Sequence, residues 1–312
     1  YNRSFSPKYD EINASNKLSG LSTSNSWDFN WVFTNTLNYA KTIDVHSFNV
    51  LLGIESLRNH YEYFSASRDG FPSDDDNFHY LDAGDVGTQK NAGSASEYSM
   101  VSYFGKIDYN FNDRYLVAFT LRRDGSSRLG NNKWGNFPAA SVGWRISSEP
   151  FFQCDFISNL KLRAGWGQNG NSDVPAFATI DSFKSNSNHT NYPIDGSQNS
   201  VEIGFAQTRN GNPNLKWETT TQTNIGLDLG LLNGDLNFVM DYFNKNTKDL
   251  LWRRSLPASI GGTNMTVWDN VGKMNNKGFE MEINYQKQLS SDFGINVAYN
   301  MSVIKNEMTE LN

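Results

Sequence analysis

The sequence predicts an all-β chain, part of an antiparallel transmembrane β-barrel, on three observations. Apolar and polar residues alternate with a period of two along many segments, the links between those segments alternate short and long, and most of the polarity is uncharged. The 312 residues are 38% hydrophobic and 14% aromatic but only 19% charged, with a mean hydropathy of −0.59. That is too polar for helical spans, and there is no run of about 18 apolar residues to make one. Asn, Ser, Thr and Gly suit a sheet with one face on lipid and the other on a hydrated lumen. A net charge of −6 without a Lys/Arg cluster excludes nucleic acid as a partner. Cys154 is the sole cysteine, so an intrachain disulfide is excluded, and it reads as a buried or idle thiol. Tyr1 opens into polar sequence with no targeting pattern, so a signal peptide is expected to lie outside this chain.

Taken in order, alternation marks strands through Trp27, Phe29, Trp31 and Phe33, then through Phe48, Val50, Leu52 and Ile54, then through Tyr115, Val117, Phe119 and Leu121. Further along, Ile225, Leu227, Leu229 and Leu231 oppose Asn224, Gly226, Asp228 and Gly230, and Phe279, Met281, Ile283 and Tyr285 oppose Glu280, Glu282, Asn284 and Gln286. The clearest case sets Phe293, Ile295, Val297, Tyr299, Met301 and Val303 against Gly294, Asn296, Ala298, Asn300 and Ser302; a helix could not keep those sets apart. About ten strands result, at a length at or beyond the roughly 9–11 residues a tilted strand needs to cross a bilayer.

Tight links are expected at 42–45, 112–113, 233–234 and 289–292, with 149–157 somewhat longer; long polar links are expected at 66–97, 125–136, 169–216 and 255–270. In outer-membrane barrels short turns face the periplasm, so strands entering at Trp27, Tyr98, Asn136, Trp217 and Val271 run inward. Tyr39, Tyr109, Phe111, Tyr115, Tyr285 and Phe293 fall beside the short turns and form an expected periplasmic girdle. A soluble carbohydrate-binding β-sandwich is the competing fold, since alternation and aromatic content alone do not separate the two. The long loops and the ending at Asn312, without a terminal aromatic, point to an internal fragment of a wider barrel.

Chemistry is sparse. His46, His60, His79 and His189 never pair at metal-ligand spacing and read as loop decoration. Asp74, Asp75 and Asp76 offer hard oxygen ligands but lack the glycine turn and closing Glu of a calcium loop. The glycines of Gly165, Gly167 and Gly170 precede no helix that could hold a phosphate, and strand curvature accounts for them. No nucleophile elbow or paired acid/base carboxylates emerge, so no catalytic, cofactor or metal site is assigned and the chain does not read as an enzyme. Loop rings and cations are the candidate contacts for substrate or partner: Tyr61, Tyr63, Phe78, Tyr80, Arg123, Arg128, Trp134, Phe177, Phe183 and Tyr192. Arg122, Arg123, Asp124 and Arg128 are expected at the outer rim as a structural network with Asp124 capping the turn; contact with substrate or with lipopolysaccharide phosphate is the sharper alternative, disfavoured by the acidic neighbour that already occupies part of the fork.

Several stretches resemble one family. They are Leu121 to Gly130 (LRRDGSSRLG), Trp134 to Arg145 (WGNFPAASVGWR), Ser148 to Phe152 (SEPFF), Leu160 to Asn169 (LKLRAGWGQN), Asn212 to Glu218 (NPNLKWE) and Gly272 to Glu280 (GKMNNKGFE). In this order, over roughly the last two thirds of the chain, they resemble the SusC-like TonB-dependent transporters, outer-membrane proteins of Bacteroidetes; Leu129 departs from the pattern, where an aromatic is expected. The resemblance implies a 22-stranded barrel, an N-terminal plug, a TonB-contacting segment and a SusD-like surface lipoprotein that captures glycans or peptides. No stretch of residues 1–312 looks like the plug or TonB segment, so the chain is expected to supply barrel wall and outer loops only. Lipid and lipopolysaccharide of the outer membrane and an oligosaccharide or peptide substrate complete the implied partners. A passive porin or adhesin barrel is the alternative that keeps the same strands.

Overall fold

In the computed structural model, residues 1–8, 18–185, 190–193, 196, 201–257, 259 and 265–311 are described. They form β1 (Asn2–Ser6), β2 (Gly20–Ile43), β3 (His46–Asp69), β4 (Lys90–Phe111), β5 (Tyr115–Ser126), β6 (Trp134–Arg145), β7 (Ile157–Asn171), β8 (Ser182–Lys184), β9 (Tyr192–Pro193), β10 (Val201–Glu202), β11 (Ala206–Arg209), β12 (Glu218–Leu231), β13 (Leu236–Lys248), β14 (Leu251–Ser255), β15 (Thr266–Asn270), β16 (Lys273–Gln288) and β17 (Gly294–Glu310). Eleven of these make one sheet in the order β1-β2-β3-β4-β5-β6-β7-β12-β13-β16-β17, in which chain neighbours are sheet neighbours once the short loop strands are set aside. By their contacts the residues fall into two compact units, 1–32 with 57–99, and 33–56 with 100–312.

Register explains why the alternation matters. β5 meets β6 at Tyr115↔Trp144 and Val117↔Val142, β6 meets β7 at Trp144↔Leu162 and Val142↔Ala164, and β7 meets β12 at Leu162↔Leu227 and Ala164↔Ile225. The file continues through Ile225↔Tyr242, Tyr242↔Phe279 and Phe279↔Val303. Apolar positions therefore stand beside apolar positions across seven strands, because a one-residue slip would send a whole strand's oily set to the other face. Among the described residues nothing covers that face: Tyr115, Val117, Phe119 and Leu121 are 42%, 44%, 48% and 46% exposed. A sandwich would bury this set against a second sheet, and among the described residues the other sheets are two-stranded. The sandwich reading is thus overturned; an uncovered apolar face of this extent belongs in hydrocarbon.

Among the described residues β1 pairs with Gly20–Ser24 of β2 and β17 pairs with β16, and neither has a second neighbour there. The sheet is open at both edges, a portion of a barrel and not a closed one, since an edge in lipid leaves backbone groups unpaired at several kcal/mol each.

Several boundaries differ from the sequence reading. β2 begins at Gly20 rather than near Trp27, and β4 at Lys90 rather than Tyr98, so these strands run far beyond the length a bilayer requires. The link expected over 125–136 shrinks to residues 127–133, because β5 continues to Ser126 and β6 starts at Trp134. Within the link expected over 255–270, residues 266–270 form β15, paired with β14 from Leu251↔Asn270 to Ser255↔Thr266. Tight turns are present near each expected place but with other bounds, at 44–45, 112–114, 232–235 and 289–293, with the longer one at 146–156; their positive-φ residues are Asp44, Asn112, Asp113, Leu232, Asn233 and Gly234. Asp, Asn and Gly tolerate that conformation; Leu232 is the exception. Cys154 is exposed rather than buried.

Beside two of the short turns rings meet one another. His46 Nδ1 lies 2.8 Å from the Tyr109 hydroxyl, Phe48 packs on Tyr109 and Tyr115 stacks on Trp144. His46 thus belongs to the girdle at the start of β3 and is not a loop decoration.

Candidate functional site

Two regions carry organised polar chemistry, the face opposite the apolar file and the body of loops beyond the strand ends. On the polar face, Arg163 of β7 reaches over two strands: its Nε donates to Asp228 at 2.9 Å, and Nη1 and Nη2 donate to Asp241 at 3.1 and 3.0 Å. The span is possible because Gly226 lies between them in register, across from Arg163 on one side and Asp241 on the other. A Cβ at Gly226 would stand 2.4 Å from Asp241 Oδ1 and 2.7 Å from the guanidinium. Gly226→Ala is therefore expected to push the pair apart and destabilise the barrel by about 1–3 kcal/mol, read as a lowered urea midpoint in lipid vesicles.

The three arginines of the RRDGSSR stretch have separate fates. Arg122 Nε donates to Asp124 at 2.7 Å and its Nη2 to Glu55 at 3.0 Å, with the guanidinium 5.2 Å from the centre of the Phe104 ring. Asp124 is therefore an ion-pair partner on the polar face and not a turn cap. Arg128 pairs with Asp173 at 2.5 Å. Arg123 points with the apolar file and lies 5.1 Å from the centre of the Trp134 ring.

The loop body has its own core: Leu129, Phe137, Val174, Ala178, Leu215 and Trp217, with Met100, Leu251 and Trp268 packed against it. Its organiser is the Asn-Pro-Asn-Leu-Lys-Trp-Glu segment. The Trp217 ring meets Phe137 edge-on at 5.3 Å and its indole N–H donates to the Lys133 carbonyl at 3.0 Å. Asn212 Nδ2 donates to the Trp268 carbonyl, Asn270 Nδ2 to the Lys216 and Asp249 carbonyls, and Asn131 N to the Pro213 carbonyl. Leu251 N closes the set on Glu218 Oε2 at 3.0 Å. Three links are thereby tied into one packed unit, and Leu129, where an aromatic was expected, fills its centre fully buried. Gly130, Gly135 and Gly170 are clearance sites: a Cβ would stand 2.4 Å from the Pro213 carbonyl oxygen at Gly130, and 2.4 and 2.0 Å from the Phe137 ring at the other two. For Gly170, room for a ring replaces the strand-curvature explanation.

Residues 70–89 form a second loop structure. Ser19 holds Phe71 by two hydrogen bonds, and the Phe5 ring stacks on His79 at 3.6 Å. The acidic run is put to local use: Asp75 Oδ1 accepts from Asn77 N at 2.9 Å to cap a short 3-10 turn, and Asp76 lies 3.2 Å from His79 Nδ1. In β3, His60 bridges Glu62 at 3.0 Å and Glu97 at 3.2 Å, while Arg58 Nε donates to Glu97 at 3.0 Å. His60 is thus a strand residue in an ion-pair cluster, not loop decoration, and His189 lies outside the described residues.

The structure does not gather the candidate contacts into one pocket. Tyr61 and Tyr63 lie within β3 rather than in a loop. Phe78 is exposed in the short turn, and Tyr80 is exposed beneath Arg3. Trp134 opens β6. Phe177, Phe183 and Tyr192 are 51%, 61% and 56% exposed in the link between β7 and β12, which leaves their rings available for contact. Phe177 holds φ +64, and its carbonyl accepts from Arg209 Nη2 at 2.9 Å.

Glu149 is a structural anchor that residue patterns did not reveal. It follows the turn after β6, is buried, accepts from the Trp144 indole N–H at 2.9 Å and from the Tyr115 hydroxyl, and lies 3.7 Å from Arg114. It ties the polar tips of two girdle rings together. The Tyr115 hydrogen bond first, then that of Trp144, holds its carboxyl below the ordinary range. A depressed carboxylate contributes stability that is present above the unfolded pKa of about 4.3–4.5 and is lost as pH falls through the folded value. Glu149→Gln is accordingly expected to lower stability at neutral pH and to flatten its acid dependence below about pH 4.5, measured by unfolding midpoints across pH.

Residues 1–309 match the family model described as TonB dependent receptor-like, beta-barrel. The chain is 33% identical over 290 residues to the TonB-dependent receptor SusC of Bacteroides thetaiotaomicron, covering 91% of this chain and 28% of that protein. It is 34% identical over 315 residues to a TonB-dependent receptor of Formosa agariphila, covering 98% of this chain and 28% of the relative. Among solved structures, that of the RagAB peptide transporter superposes with a TM-score of 0.85 at 26% identity, over 97% of this chain and 33% of that one. The chain thus spans 28% of the length of these two curated relatives.

Proposed function

The chain belongs to the TonB dependent receptor-like β-barrel family, and we propose from that membership that it forms barrel wall and extracellular loops of a SusC-like importer of glycans or peptides. The family is one of outer-membrane receptors and transporters, not of enzymes. The observation that carries the proposal is the two-faced sheet: apolar residues in register on the uncovered side, and on the other side charges neutralised within the wall, as in the Arg163, Asp228 and Asp241 set. A wall of this kind can line a hydrated passage while offering few free charges to a solute.

In this reading residues 1–312 are barrel alone, and plug and TonB contact are supplied by other parts of the polypeptide. A SusD-like lipoprotein seats on the loop body, whose packed core makes a rigid platform. Exposed Phe177, Phe183 and Tyr192 then offer flat apolar faces to sugar rings, to peptide side chains or to the lid. Likeness to the RagAB peptide transporter supports peptide, and the aromatic loops support glycan; the two substrate classes are separated by experiment. Cells carrying the full-length transporter would be given a labelled oligosaccharide pool or a labelled peptide pool. Energised import predicts uptake of one pool that stops when TonB is deleted. Uptake that persists without TonB would replace this reading with the passive porin.

A further inference from the structure

We propose that Arg123, seated on Trp134 beside Tyr103, binds the phosphate of an outer-leaflet lipid headgroup on the lipid-facing side of the wall. The register places Tyr103, Arg123 and Asn136 side by side on β4, β5 and β6, in the same outward file as Tyr115, Val117, Phe119 and Leu121. Arg123 is the first charge in that file after the periplasmic girdle. Eight residues separate it from Tyr115, about 27 Å along a strand and about 20 Å of depth at a tilt of about 40°. The guanidinium therefore stands where the apolar band ends and headgroups begin.

Its partners single it out from its neighbours. Arg122 is committed to Asp124 and Glu55, and Arg128 to Asp173. Arg123 is exposed, among the described residues no carboxylate lies within ion-pair distance of it, and its guanidinium carbon lies over the Trp134 ring, 5.1 Å from the centroid. Tyr103 stacks alongside that ring at 6.3 Å, and the two are 49% and 46% exposed. A guanidinium held over an indole keeps its fork directed outward and sheds little hydration when it meets a phosphate, whose oxygens match the fork two at a time. Free phosphate would gain only the cation. A lipid gains the cation for its headgroup and the exposed Leu121 and Phe119 for its chains, so the continuity with the apolar band selects the lipid.

The test uses the full-length transporter in detergent and native mass spectrometry with three probes: diphosphorylated lipid A, the same lipid dephosphorylated, and inorganic phosphate. Wild type is expected to retain the diphosphorylated lipid, and Arg123→Gln to retain about five-fold less. Arg123→Lys, which keeps the charge without the fork, should fall between them, and Trp134→Leu should weaken retention while leaving the charge. Heat-modifiable migration confirms that each variant is a folded barrel. Equal retention by wild type and Arg123→Gln, equal retention of the dephosphorylated lipid, or equally tight binding of inorganic phosphate alone would each overturn the proposal.

Discussion

Phe119→Arg is expected to destabilise the assembled barrel by about 2–4 kcal/mol, whereas Ala118→Arg, one residue away, should change stability by about 1 kcal/mol or less. Phe119 lies midway between the girdle residue Tyr115 and the rim residue Arg123, and it is paired with Ile107 on one side and Ala140 on the other. An arginine there would sit near the middle of the apolar band, too far from either border for its side chain to reach headgroups easily. Ala118 is on the opposite face, across from Asp108 and Ser141, where a guanidinium meets water and carboxylate. Urea titration of the full-length protein in lipid vesicles reads both variants. A sheet with both faces in water would show no such contrast, because then neither side chain would leave an aqueous surface.

Trp217→Ala should loosen the loop body by about 3–5 kcal/mol while leaving the membrane wall folded. The side chain is 7% exposed, meets Phe137 edge-on and donates to the Lys133 carbonyl. Truncation removes the ring, empties the space beside Leu129 and Leu215 and leaves the carbonyl without its donor. Hydrogen exchange should accelerate in residues 127–133, 172–180 and 212–217, with β5, β12 and β13 still protected. If protection fell equally in the strands, the loop core would be part of the barrel's cooperative unit and not a platform of its own.

How much of this was legible beforehand depends on how local the physics is. The strand through Tyr115, Val117, Phe119 and Leu121 was readable because alternation is a property of neighbouring residues, and the turn at Asn112 and Asp113 because those residues tolerate positive φ. The β14–β15 ladder was not, since Leu-Trp-Arg-Arg-Ser and Thr-Val-Trp-Asp-Asn show no clean alternation and pair away from any extended apolar face. Trp217 looked like the first residue of a strand, yet its ring belongs to the loop core and the strand begins at Glu218. The Arg163 network needs the register of three strands at once, which no single segment encodes; a glycine opposite an arginine was its only trace. Glu149 stood inside a family-like stretch, but its reason, the two ring tips it ties, appears only when the turn folds back on β5 and β6. The candidate contacts were the least legible. Residue type identified rings and cations without saying which face Arg123 or Trp134 would take.

The central claim is that the odd-numbered side chains of β5 from Tyr115 to Arg123 face lipid and the even-numbered ones face water. With Cys154 first replaced by serine to silence the native exposed thiol, single cysteines at residues 115–123 of the full-length protein in vesicles would carry a nitroxide. Its collision rates with oxygen, which concentrates in lipid, and with a water-soluble nickel complex would then be measured. The account predicts a two-residue oscillation, oxygen highest at odd positions and nickel at even ones, with nickel rising again at 123. Profiles in phase with each other, or the reverse assignment of odd and even, would contradict it.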